Sequence, residues 1–283
     1  MTLPLAFNLI PPGIHHVWLF LVLGSLSAML VSLGKAGFGA SIGVLSFPIM
    51  VYACGGNSLL AVAVTLPLLI ACDLVAMASW WGRWNGRAAG LLLPGAVLGI
   101  ILGGLCLWAI RGLDGSSDQA TRARANAALM LIVGLIALGF VAMQAARWVG
   151  RKPLVFRPGP WQGAGVGAAA GITSTLAHAA GPVVAMYLLP QQLPKSAFVA
   201  TTVLFYAIIN LLKLVPYSML GLINTQTLGA ALALLPAVVG GTAAGLLLHG
   251  RVDQRQFNGV VYVLLALAGG RMVYQGAVAL WWR

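Results

Sequence analysis

Apolar segments long enough to cross a membrane follow one another from Val17 to the C-terminus, and no polar stretch between them is long enough to form a soluble domain. A helix needs about 20 apolar residues to cross the hydrocarbon layer of a bilayer. The composition agrees, since 60% of the residues are hydrophobic and only 7% are charged. The sequence therefore predicts a multi-pass protein that lies in the lipid bilayer. No basic segment precedes Val17, so we expect the N-terminus to stay in place as part of the first membrane element, not to be removed as a signal peptide.

The apolar pattern predicts an all-α membrane protein with about ten transmembrane or half-membrane helices. The first, second, sixth and seventh are short, and a break rich in glycine or serine joins each short pair, so these pairs are predicted to be broken or re-entrant helices at the centre of the fold. The predicted helices are residues 17–33, 38–54, 57–80, 88–110, 126–149, 161–175, 179–190, 194–219, 227–249 and 257–282.

The two halves of the chain resemble each other. AVAVT at 61–65 aligns with FVATT at 198–202, and the same register sets Asp73 opposite Asn210. A Pro-x4-Gly-x3-Gly pattern, which lets membrane helices approach closely, begins at Pro94 and again at Pro236. Because five elements per repeat is an odd number, the second repeat must be inverted in the membrane. The predicted division is a first inverted repeat at 1–146, a cytoplasmic linker at 147–160 and a second inverted repeat at 161–283.

The formal charge of +12 arises from 16 Lys and Arg against four acidic residues, all of them Asp. In a soluble protein this would favour nucleic acid as a partner, but in a membrane protein basic residues collect in cytoplasmic loops, so we expect no nucleic acid. An orientation with both termini outside satisfies this bias. It leaves Arg111, Arg122, Arg124 and Arg283 outside and sets the following on the cytoplasmic side: Arg83, Arg87, Arg147, Arg151, Lys152, Arg157, Lys195, Arg251 and Arg255.

Lys35 and Asp73 are the only charged residues up to residue 82. A charge buried in hydrocarbon costs several kcal/mol unless it is paired or lines an aqueous cavity. Two interpretations stay open: a structural ion pair between them, or a role in binding substrate and coupling. Glycines at 34, 37, 39 and 43 favour an anion site, because they let the backbone expose N–H groups beside the Lys35 ammonium, although they could equally serve helix packing.

The break in the second half is rich in polar groups. Thr173 and Ser174 could bind an anion or hydrogen-bond back to their own helix, and His178 could donate to an anion or relay a proton. Asn210 and Lys213 share a helix face and are predicted to form the opposite wall, unless Lys213 snorkels to the membrane surface.

A different class of function is an intramembrane serine hydrolase. The stretch 39–43 has the form G-x-S-x-G, with Ser41 as the nucleophile and His178 as its base, but the nucleophile elbow requires a strand-to-helix turn that a membrane helix pair does not provide. A non-transporting scaffold or sensor is a third alternative. The three cysteines form no CxxC pattern, and neither a metal nor a cofactor is predicted.

Matching motifs in both halves resemble the sulfite exporter TauE/SafE family of bacterial membrane transporters. They are GKAGFG at 34–39, LPLLIACD at 66–73, LPG at 93–95, HAAGP at 178–182, YLLPQ at 187–191 and NLLKLVPY at 210–217. The resemblance implies a transporter of sulfite, organosulfonates or related small anions in a bacterial inner membrane. The family form HAGGP is HAAGP here, which implies a stiffer turn and an altered ligand contact.

The sequence therefore predicts a transporter that binds a small anion, sulfite or an organosulfonate, and works by alternating access. Asp73 is the candidate for proton coupling or for holding Lys35 in the empty state, and the coupling ion is a proton or Na⁺. The predicted substrate-binding residues are Lys35, Gly37, Gly39, Ser41, Thr173, Ser174, His178, Asn210 and Lys213. The anion itself, the direction of transport and the oligomeric state are left open.

Overall fold

The computed structural model describes residues 14, 16–38, 43–114, 119–149, 159–248 and 254–281. Over these residues all regular structure is helical, with ten α-helices, and each of them overlaps one of the predicted segments. The helices are α1 (Val17–Leu33), α2 (Gly43–Ala53), α3 (Ser58–Ser79), α4 (Gly86–Asp114), α5 (Gln119–Val149), α6 (Pro160–Ala177), α7 (Gly181–Leu188), α8 (Lys195–Met219), α9 (Thr225–Leu248) and α10 (Gln254–Trp281).

Six of these helices are long and apolar enough to cross a membrane, namely α1, α3, α4, α5, α8 and α9. Large apolar side chains on them face outward, as expected where lipid covers the surface, and Leu98, Leu105 and Leu232 are examples. The prediction of an all-helical, multi-pass membrane protein is confirmed.

The helices α2 and α7 are too short to cross a bilayer. They have 11 and 8 residues, which correspond to lengths of about 16 and 12 Å. The first folds back along α1, and the Ser27 hydroxyl of α1 donates to the Ser46 carbonyl of α2 at 2.8 Å across the pair. The second follows α6 after a turn in which His178 adopts a left-handed conformation with φ 51°, which is rare for a residue other than glycine. Each half therefore contains one helical hairpin with a short second arm.

Both hairpins pack against a helix of the other half of the chain. On α4, Gly99 and Gly103 lie against α6 at Ala168 and Thr175. On α9, Gly241 lies against Met29 of α1, and Gly245 follows one turn later against the end of the same helix. The close approach predicted from the repeated Pro-x4-Gly-x3-Gly pattern therefore occurs at both places. In each case a helix of one half packs against the hairpin of the other half.

The helices α3 and α8, which the repeat alignment sets opposite each other, run in opposite directions where they meet. The end of α3, at Ala76 and Trp80, packs against the start of α8, at Val199 and Val203. The Asn85 amide, just beyond α3, donates to the Thr201 hydroxyl at 2.8 Å. Of the basic side chains predicted to be cytoplasmic, those that the structure describes are all exposed at this end of the helix pair: Arg83, Arg87 and Lys195.

Neighbouring glycines in α9 allow a matched test of the hairpin packing. A Cβ atom at Gly241 would lie 2.8 Å from the Met29 Cα atom and closer still to the Ser32 side chain, whereas one at Gly240 would meet nothing within 4 Å. We expect Gly241→Ala to lower the free energy of unfolding by about 1–3 kcal/mol, since α1 must move away. Gly240→Ala should be neutral or slightly stabilising. Thermal unfolding in detergent measures both, and equal melting temperatures for the two variants would contradict the packing described.

Candidate functional site

Lys35 lies in the turn at the tip of the first hairpin. A π-helical turn, Gly34–Phe38, continues α1 and carries the lysine inward, so that only 6% of its surface is exposed. The Trp80 indole N–H donates to the Ala36 carbonyl at 3.2 Å and fixes the turn against the end of α3. The Lys35 ammonium donates to Asp73 Oδ1 at 2.5 Å. The ion pair considered in the sequence analysis is therefore present.

Asp73 links the two halves of the protein. It lies in α3 with 1% of its surface exposed, and its second oxygen, Oδ2, accepts a hydrogen bond from Asn210 Nδ2 of α8 at 2.5 Å. The repeat alignment set these two residues opposite each other in the sequence, and the fold brings them into contact. The carboxylate thus receives a charged donor from its own half and a neutral donor from the other half.

Lys213 is a second buried lysine, and its partners are neutral. Its ammonium donates to the Ser174 carbonyl at 3.2 Å, to the Ser174 hydroxyl at 2.9 Å and to His178 Nδ1 at 3.1 Å. The carbonyl belongs to the last turn of α6, where a cation is favoured by the helix dipole. No part of Lys213 is exposed, so the alternative in which it snorkels to the membrane surface is wrong.

Both ring nitrogens of His178 are engaged by the protein. Nε2 lies 3.1 Å from the Val62 carbonyl, which can only accept, so the proton resides on Nε2. Nδ1 then accepts from Lys213, and the ring stands edge to face with Phe47 at a centroid distance of 5.5 Å. In this conformation neither nitrogen is available to a ligand, and the role of His178 as a donor to an anion or a proton relay stays a prediction.

A small cavity lies between the two hairpin tips. Val31 and Leu69 form its apolar wall on the side of the first half. Its polar lining comes from both halves of the chain and consists of Lys35, Ser174, His178, Tyr206 and Asn210.

Other predicted site residues lie elsewhere. The Thr173 hydroxyl donates to the Ala169 carbonyl of its own helix at 2.8 Å, and its side chain lines a separate apolar pocket near Phe140. Gly37 packs against the Gly245 carbonyl of α9. Lys213 is not in the cavity lining and lies behind Ser174 and His178. Gly39 and Ser41 lie outside the described residues.

Tyr206 is the polar cavity residue that the sequence analysis did not identify. The Lys35 ammonium lies 5.5 Å from the centroid of its ring, which is within the range of a cation–π interaction. A signal for it was present, since Tyr206 lies four residues before Asn210 and seven before Lys213, on one face of α8. Within the part of the chain that the structure describes, no group of three or more His, Cys, Asp or Glu residues is arranged to bind a metal.

Comparison with known proteins identifies a family. Residues 22–272 match the family model described as "Sulfite exporter TauE/SafE". No curated protein and no solved structure matches the chain.

The ion pair can be tested by removing its members singly and together. Lys35→Met leaves the Asp73 carboxylate buried without its counter-ion, and we expect a loss of about 3–5 kcal/mol in the free energy of unfolding. Adding Asp73→Asn removes the stranded charge, so the double variant should be more stable than Lys35→Met alone. Unfolding in detergent measures the series. Lys195→Met, at an exposed position, is the control and should change stability by less than about 0.5 kcal/mol. Additive losses in the double variant would contradict a direct pair.

Proposed function

Because the chain belongs to the sulfite exporter TauE/SafE family, we propose that it carries a small oxyanion, sulfite or an organosulfonate, across the membrane by alternating access. One observation carries the proposal: the Lys35 ammonium lines a cavity between the hairpin tips and has an exchangeable carboxylate, Asp73, as its partner. An anion entering the cavity can take the place of that carboxylate.

The charge of the buried core supports an anionic substrate. Among the described residues, the buried side chains that can carry a charge are Lys35, Lys213 and Asp73, two basic and one acidic. Interactions between charges are strong where water is excluded, and a core with more basic than acidic groups favours an anion. The same excess of basic groups disfavours a cation.

Exchange of partners at Lys35 supplies a route to coupling. When the anion binds the ammonium, Asp73 loses its counter-ion and faces a like charge, which favours protonation of the carboxyl group. Asn210 still holds the other carboxylate oxygen. In the proposed cycle the anion and one proton therefore bind together, and in the empty state Asp73 holds Lys35. Na⁺ is the alternative coupling ion.

Two groups of helices fit an alternating-access mechanism. One group contains α1, α3 and α9, which pack on one another, and the other contains α6, α8 and α4, their counterparts in the other half. We interpret residues 1–146 and 161–283 as inverted repeats joined by a cytoplasmic linker at 147–160. Two observations support this interpretation: α3 and α8 run in opposite directions, and each hairpin packs against a helix of the other half. Both termini are then outside a bacterial inner membrane.

The serine hydrolase alternative has no comparable support. It requires His178 as a base, and in this conformation Nδ1 accepts from Lys213 while Nε2 donates to Val62. A scaffold or sensor would use the buried charges only for stability, so a transport assay separates it from the proposal.

Uptake of labelled sulfite and of a labelled sulfonate into proteoliposomes tests the role of Lys35. We expect Lys35→Ala to reduce uptake to background. Without the ammonium group, nothing compensates the anion for the water that it loses on entering the cavity. Lys195→Ala should transport like the wild type, since that lysine is exposed at the start of α8. Unchanged uptake by the Lys35 variant would remove this residue from the site, and no uptake of either anion by the wild type would reject these substrates.

Coupling through Asp73 predicts a separate phenotype for Asp73→Asn. The amide keeps the size of the side chain but cannot gain or lose a proton, so a pH gradient should no longer drive net uptake of sulfite. Exchange of labelled for unlabelled sulfite at equal pH should persist, because this process needs no net proton movement. Proteoliposomes with an imposed pH gradient measure both processes, and gradient-driven uptake at the wild-type rate would exclude Asp73 as the proton carrier.

A further inference from the structure

The hydroxyl group of Tyr206 is the unexplained polar atom in the cavity. Tyr206 is 5% exposed and lines the space between the hairpin tips, yet its hydroxyl has no hydrogen-bond partner among the described residues. A buried hydroxyl left unpaired costs about 1–3 kcal/mol. A phenylalanine would fill the same space among Phe205, Ile209 and their neighbours without this cost.

The charged surroundings indicate what the hydroxyl can bind. The Lys35 ammonium lies over the Tyr206 ring, 5.5 Å from its centroid, and the same ammonium is bonded to the Asp73 carboxylate. The ion pair therefore lies beside the Tyr206 ring. A ligand that replaces Asp73 on Lys35 would lie beside a hydroxyl donor that is already buried and oriented.

We propose that Tyr206 is a substrate-binding residue whose hydroxyl donates a hydrogen bond to the oxyanion held by Lys35. This assignment rests on the proposed function and adds a requirement to it. The ligand is a polyatomic oxyanion, because separate oxygen atoms can then accept from the ammonium and from the phenol at the same time. His178 has no free donor for this role, and among the described side chains that line the cavity the Tyr206 hydroxyl is the buried polar atom with no hydrogen-bond partner of any kind.

The chain provides a matched control for the loss of one hydroxyl. Tyr187 of α7 belongs to the same apolar cluster, is 1% exposed and also has no partner for its hydroxyl among the described residues. It does not belong to the cavity lining. Tyr206→Phe and Tyr187→Phe therefore remove the same atom from two members of one apolar cluster, and only the first removes it from the proposed site.

The test compares the binding of sodium sulfite and sodium methanesulfonate to the full-length wild type and to the two variants in detergent. Calorimetry measures the dissociation constants, and sodium chloride keeps the ionic strength constant. We expect Tyr206→Phe to bind about tenfold more weakly, because a hydrogen bond to a charged acceptor is lost. Tyr187→Phe should bind like the wild type.

The outcomes separate this inference from the proposed function. If all three proteins bind the anions equally well, the Tyr206 hydroxyl is not a ligand and this assignment is wrong, while the transport proposal stands. If both variants weaken binding equally, the effect is on the packing of the cluster, and the assignment is again wrong. If the wild type binds neither anion, the proposed substrate class fails and the assignment fails with it.

Discussion

The burial of the Lys35 ammonium against the Asp73 carboxylate is the interaction on which the rest of the site depends. Each charge costs several kcal/mol to remove from water, and a well-packed apolar pair is often at least as stable as a buried ion pair. The pair is therefore a poor explanation of stability taken alone. It gains significance from its position, because it joins the tip of one hairpin to the helix that contacts the opposite half through Asn210.

The second buried lysine differs from Lys35 in the partners that it holds. Lys213 donates to three neutral acceptors, two of them on Ser174 and one on His178, and so holds the end of α6 and its turn together. An anion that displaced these acceptors would break the hairpin tip. At Lys35 an anion would replace one carboxylate by another negative group. The proposed function therefore gives the two lysines different roles, one in maintaining the wall of the cavity and the other in binding.

Much of the fold could be predicted from the sequence, and the failures have identifiable causes. The hydropathy pattern predicted α1 to within its observed bounds, but α5 begins at Gln119, seven residues before the predicted start at 126, because hydropathy does not detect a polar helical turn outside the bilayer. Within the site, adjacent residues 173 and 174 face different pockets. In a helix that is apolar on most sides, the sequence does not tell which hydroxyl faces inward.

The role of His178 could not be predicted because its partners are distant in sequence. Its nitrogens bind Val62 and Lys213, which belong to other helices, and only the fold brings them together. Tyr206 could have been identified from its helical spacing to Asn210. A tyrosine among apolar residues is usually part of the core, however, and the distinguishing feature is its unpaired hydroxyl, which only coordinates reveal.

The arrangement of the helices explains why the site lies where a movement would act on it. The wall of the cavity formed by Val31, Lys35 and Leu69 belongs to the group of α1, α3 and α9, whereas Ser174, Tyr206 and Asn210 belong to the group of α6, α8 and α4. The contacts that join the groups at this seam include the Asp73–Asn210 and His178–Val62 hydrogen bonds. Relative movement of the groups must change these bonds. In the proposed cycle a ligand that competes for Lys35 alters the charge on Asp73, and therefore alters a bond that holds the two groups together.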